Sequence, residues 1–119
     1  MSALDVKLTV RRYDAMEDWW VIERAEHDGR IWDEVRGNVH FPRSSADINS
    51  ASVEGTSAEM LALADAIERH DDYEARRCAC HWSDDGVDLW SPRNSRIATL
   101  VTHERATELV AEIRREVSP

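Results

Sequence analysis

Leu4, Val6, Leu8 and Val10 alternate with Asp5, Lys7, Thr9 and Arg11. A period of two places the apolar set on one side of an extended chain, so this stretch predicts a half-buried β-strand. Tyr13–Met16 predicts a turn, and residues 18–26 a second strand. Trp19 and Trp20 are adjacent within it, and neighbouring side chains on a strand point to opposite faces. One indole must therefore cover something other than the face its neighbour occupies: a second layer, a second subunit or a partner. Asp28-Gly29, within His27–Arg30, is a hairpin signal. A third strand is expected over 30–41, with Val35, Gly37, Val39 and Phe41 on one face. Pro42–Ser45 breaks it, and a weaker fourth strand is expected over 46–54.

At residue 56 the period changes. Thr56 followed by Glu59 reads as a capping box, in which each residue satisfies an otherwise orphan amide of the other. Met60, Leu63, Ala64 and Ile67 then recur at helical spacing, so a helix is expected to run to about His70. Residues 75–82 and 86–91 predict a second hairpin turning at Asp84-Asp85-Gly86. Cys78, Cys80 and Trp82 share one of its faces, Val87 and Leu89 continue the apolar pattern, and Trp90 falls with Asp88 on the other face. Ser91–Arg96 reads as a polar loop and 97–101 as a short strand. Thr102 caps a last helix with Ala106, Leu109, Val110, Ile113 and Val117 as its stripe. The set Thr56, Met60, Leu63, Ala64, Ile67 echoes Thr102, Ala106, Leu109, Val110, Ile113; shared helical periodicity is enough to produce such an echo. The order ββββα–ββ(β)α predicts an α+β domain over 1–119: a mostly antiparallel sheet of about six strands with two helices packed on one face.

Composition narrows the function classes. The 119 residues suit one domain able to bury a core without disulfides or metals. Apolar runs fall short of a membrane span, and the first residues lack the apolar core of a signal peptide. Cys78 and Cys80 are too close on one strand for an unstrained disulfide, so reduced thiols in a cytoplasmic protein are expected. A net charge of −9 disfavours direct contact with nucleic-acid phosphates. It fits solubility, or mimicry of nucleic acid toward a basic partner.

Candidate chemistry is sparse. Cys78-Ala79-Cys80-His81 has metal-ligand residue types but lacks zinc-knuckle spacing, and His81 should point away from the thiols. The five histidines stand in no nucleophile-elbow context. Asp71-Asp72 and Asp84-Asp85 fall in turns, where aspartate is favoured for backbone reasons. No glycine-rich phosphate loop is present. The expectation is therefore a non-enzyme with no metal and no cofactor. The unusual feature is five tryptophans beside one phenylalanine. Tryptophan is enriched at interface hot spots. Trp82 is expected in the core and Trp20 or Trp90 at an interface, which makes Trp19, Trp20 and Trp90 the candidate interface residues. Separately, Trp90, Arg93 and Arg96, with Arg76 and Arg77 on the preceding strand, form a candidate anion or nucleotide site: guanidinium forks suit carboxylate or phosphate and an indole suits stacking.

Gly55–Ile67, together with Trp90-Ser91-Pro92-Arg93-Asn94-Ser95, resembles small uncharacterised proteins encoded by bacteriophages of actinobacteria, over roughly the C-terminal two thirds of the chain. Fourteen arginines against one lysine, and no glutamine, are compatible with such a G+C-rich source. What the resemblance implies is context: an accessory protein acting in host cytoplasm, with no catalytic residues to carry over. Three expectations follow. The first is an interaction protein, homodimeric, that occupies a host protein. The second is a small-ligand binder that sequesters a nucleotide signal. The third is an acidic nucleic-acid mimic.

Overall fold

The structure, a computed structural model, describes residues 3–12, 17–24, 53–92 and 94–117, with residue 24 and residues 94–99 described by backbone alone. The elements are β1 (Leu8–Arg12), β2 (Trp20–Arg24), β3 (Val53–Gly55), α1 (Ser57–Arg69), β4 (Tyr73–Glu74), β5 (Ala79–Ser83), β6 (Gly86–Ser91), β7 (Asn94–Val101) and α2 (His103–Val117). The class is α+β, as the periodicities predict. The detail differs: the strands form two antiparallel sheets, β1-β2-β3 and β4-β5-β6-β7, rather than one of about six. Among the described residues the order is βββα–ββββα. The turn at 13–16, the hairpin at 27–30, the third strand at 30–41 and most of the fourth lie outside the described residues.

The strand expected over 75–82 starts only at Ala79, so Arg76 and Arg77 fall in the turn before it, which the Ala75 N–H closes on the Cys78 carbonyl. Two further boundaries move for backbone reasons. The first alternation starts at Leu4, but the β1 ladder starts at Leu8. Leu4 instead makes a parallel bridge to Val101. Its N–H donates to the Leu100 carbonyl at 2.8 Å, and its carbonyl accepts from the Thr102 N–H at 3.1 Å. Asn94–Arg96, expected in a loop, belong to β7 because Ser91 pairs with Asn94 across a register shift after Trp90.

One apolar cluster joins both sheets to both helices, so the helices cover one common face. Leu8, Val10, Ile22 and Val53 enter it from the first sheet, Cys78, Cys80, Val87, Leu89 and Val101 from the second. Met60, Leu63, Ala64 and Ile67 of α1 meet Ala106, Leu109, Val110 and Ile113 of α2. Burying a leucine or isoleucine side chain contributes about 1.5–3 kcal/mol, so these stripes hold the layers together. α1 starts on the expected capping box: the Glu59 N–H donates to Thr56 Oγ1 at 3.2 Å and the Thr56 N–H to Glu59 Oε1 at 3.0 Å. It ends at His70, left-handed with φ 61°. α2 starts on Thr102, whose Oγ1 accepts from the Arg105 N–H at 3.2 Å.

The ladders turn the sequence echo into a structural one. Gly55 and Val101 each precede a capping threonine. Trp20 lies opposite Gly55 and Ile22 opposite Val53; Val87 lies opposite Val101 and Leu89 opposite Thr99. Val10 lies opposite Ile22, and Cys80 opposite Leu89. Among the described residues the units β1-β2-β3-α1 and β5-β6-β7-α2 thus share one antiparallel strand order and register, three neighbouring strands followed by a helix. Glu68 and Arg114, equivalent in that alignment, bond to each other across the helix pair, with Arg114 Nη1 2.8 Å from Glu68 Oε2.

Candidate functional site

Strand alternation separates the adjacent tryptophans as expected. Trp20 turns toward the helices, half-buried against the apolar cluster, and its Nε1 has no hydrogen-bond partner among the described residues. Trp19 lies outside that cluster and is only 8% exposed. What stands over its ring belongs to the same chain: the Arg77 guanidinium, 4.9 Å from the ring centroid. Asp18, with φ 49°, sets this entry into β2. Its carboxylate accepts the Ser57 N–H at 3.2 Å. Hydrogen bonding from Ser57 holds Asp18 below the usual carboxylate range.

The register gathers the remaining candidates. Ala75 N–H donates to the Cys78 carbonyl at 2.8 Å, closing a turn that carries Arg76 and Arg77. Glu74 pairs with Ala79, and Ala79 with Trp90, so these three form one cross-strand row. Trp90 is half-buried, outside the apolar cluster, with Asp88 on its face. The β4–β5 and β6–β7 turns fall at the same end of the antiparallel sheet. Trp19, Arg76, Arg77 and Trp90 therefore occupy one end of the molecule. Arg93 lies outside the described residues, and Arg96 is placed in β7 by its backbone alone.

The arginines at this end differ from most of the others, Arg12 excepted. Arg11 pairs with Glu23, Arg69 with Asp71, Arg105 with Asp5 and Glu108, Arg114 with Asp65 and Glu68, and Arg115 with Glu112 and Glu116. Among the described residues, neither Arg76 nor Arg77 has a carboxylate partner.

Sequence reasoning missed a cluster at the opposite end. Trp82, expected in the core, is instead half-buried at its margin and is stacked by His70 at 3.8 Å and by His103 at 4.9 Å between ring centroids. His103 Nε2–H donates to the Ser83 carbonyl at 2.8 Å. His81 Nδ1 lies 3.0 Å from Asp72, which also accepts the Trp82 N–H at 3.1 Å. These bonds, that from Trp82 first, hold Asp72 below its ordinary range. The only sequence signal was position: one histidine just after a helix, one at the start of the next, and a tryptophan near a strand end.

The two thiols are buried, and burial pushes Cys78 up to about 12 and Cys80 up to about 11. Such thiols stay protonated at neutral pH and are poor nucleophiles. Among the described residues no group of three or more His, Cys, Asp or Glu is placed to hold a metal, and no helix is long and apolar enough to cross a membrane. A groove of about 500 Å³ runs between the helices past Ile67, His70, Val110 and Arg114. A second, of about 320 Å³, is lined by Lys7, Arg105, Glu108, Glu112 and Arg115. Neither includes the Trp/Arg end. Comparison with protein-family models, with curated proteins and with solved structures gives no match.

Proposed function

We propose that this chain is a non-enzymatic interaction protein that engages a protein partner through its Trp/Arg end, an accessory phage factor occupying a protein in the host cytoplasm. The observation that carries the reading is the Arg77 guanidinium over Trp19, with Arg76 and Trp90 at the same sheet end. Tryptophan and arginine are the residue types that dominate interface energetics. A planar cation already ordered on an indole loses less freedom when it binds than a free one.

The test is paired capture from an actinobacterial lysate with wild-type protein and Trp90→Ala, the variant first shown to keep its melting temperature. A polypeptide retained by wild type and lost by the variant supports the reading. Capture that ignores Trp90, or no capture at all, sinks it. A native mass equal to two chains that falls to one in the variant would make the partner a second copy.

The second reading is an anionic small-ligand site, a nucleotide-signal sequestering protein. It is favoured by the same two arginines beside an indole, and predicts a retained mass of a few hundred daltons lost on Arg77→Ala. Acidic mimicry of nucleic acid rests on the net charge of −9 alone.

A further inference from the structure

The charge at the Trp/Arg end names the chemistry of its occupant. The chain carries 24 acidic residues against 15 lysines and arginines. In such a chain an arginine finds a carboxylate easily, and Arg11, Arg69, Arg105, Arg114 and Arg115 all do. Among the described residues Arg76 and Arg77 do not, although Glu74 lies two residues before Arg76 and Asp18 just before Trp19. Asp18 is taken by the α1 amide of Ser57, and Glu74 sits in the Ala79 row. Arg77 lies over the Trp19 ring, an arrangement that leaves the edge N–H groups of a guanidinium open to an acceptor.

Resting on the interaction reading above, we infer that the partner presents a carboxylate-bearing polypeptide segment to Arg76 and Arg77, flanked by apolar contact with Trp90. A carboxylate matches the guanidinium fork through two parallel hydrogen bonds. A segment of one charge per few residues is preferred over a multiply charged phosphate because Glu74, Asp88 and the net charge of −9 repel concentrated negative charge. A second copy meeting this end with its own equivalent end would set arginine against arginine, so the same charge argument points away from an isologous dimer here.

The measurement is an NMR titration of the full chain, following the five indole Nε1–H and the arginine Nε–H signals. The probes are a glutamate/alanine dodecapeptide, its glutamine/alanine counterpart and AMP. The expected result is saturable movement of the Trp19, Trp90, Arg76 and Arg77 signals with the glutamate peptide alone, roughly tenfold weaker in Arg77→Lys, which keeps the charge and loses the fork. Arg105→Lys, in the distant groove, should leave the affinity within about twofold. Movement confined to the Lys7/Arg105/Arg115 groove, equal response to the glutamine peptide, or no movement overturns the inference. Stronger binding of AMP overturns it in favour of a phosphoryl ligand. Trp90-dependent capture from lysate combined with a silent glutamate peptide removes this inference alone; loss of both removes the interaction reading as well.

Discussion

The two units of three strands and a helix share a register but not a filling. In the first, Trp20 stands opposite Gly55; in the second, Val87 stands opposite Val101. One bulky ring beside a residue without a side chain occupies the place of two branched side chains. Leu8, Val10 and Ile22 of the first sheet answer to Cys78, Cys80 and Leu89 of the second. Volume is redistributed between paired strands while the ladder is kept, which is how cores absorb substitution without changing topology. The helix stripes are closer in character, because each must pack against the other as well as against a sheet.

The strongest way to break this comparison is at equivalent leucines. Leu63→Ala and Leu109→Ala remove fully buried side chains. Each should cost about 2–5 kcal/mol, with similar values for the two. Urea unfolding in which one is harmless would end the claim of equivalence. Next in size is Gly86, with φ +153°, where an added Cβ would stand 2.3 Å from the Val101 carbonyl oxygen. Gly86→Ala should cost about 3 kcal/mol. Gly55→Ala meets the Glu59 side chain alone, its Oε1 at 3.0 Å and its Cβ at 3.2 Å, contacts a small shift relieves, and should cost about 1 kcal/mol. Equal losses at the two glycines would refute this contrast.

The caps give a smaller test. Thr56→Ala breaks a reciprocal box and should cost about 1–2 kcal/mol; Thr102→Ala, with Arg105 where the other unit has Glu59, about 0.5–1 kcal/mol. Thermal unfolding of the two variants side by side reads the difference. The smallest effect is in pH. The folded thiols of the second unit titrate above their unfolded value, so the unfolded chain releases protons first as pH rises. Their contribution is complete below about pH 9 and is lost toward 11–12. Chemical denaturation should show the midpoint falling across that window, and less so in Cys78→Ala measured against its own value at about pH 8. The first unit, with Leu8 and Val10 in these places, adds no such dependence.

Both helices, with their capping threonines and buried stripes, were legible in the sequence because capping and helical spacing are local. The hairpin turning at Asp84-Asp85-Gly86 was legible for the same reason. So was the opposite facing of the adjacent pair Leu89, inside the apolar cluster, and Trp90, outside it. The division into two sheets was not legible, because alternation says which face of a strand is buried and not which strand lies beside it. At the candidate site, the opposite facing of Trp19 and Trp20 followed from alternation. The placement of Arg77 on Trp19 rather than beside Trp90 did not, since it joins a turn to a strand entry far away in sequence. The stack of His70, Trp82 and His103 was hidden for the same reason: three elements contribute one ring each.

The bridge between Leu4 and Val101 also sets an order of events during synthesis. Leu4 leaves the ribosome well before the partners of its N–H and carbonyl, Leu100 and Thr102. The first sheet can pair while the second is still being made, but α2, which packs on β1, and Arg77, which lies over Trp19, reach it only later. The segment around Leu4 must wait for the end of β7. Closing so long a loop is entropically costly and comes late. That segment is therefore a latch, shut only once the second sheet has been delivered.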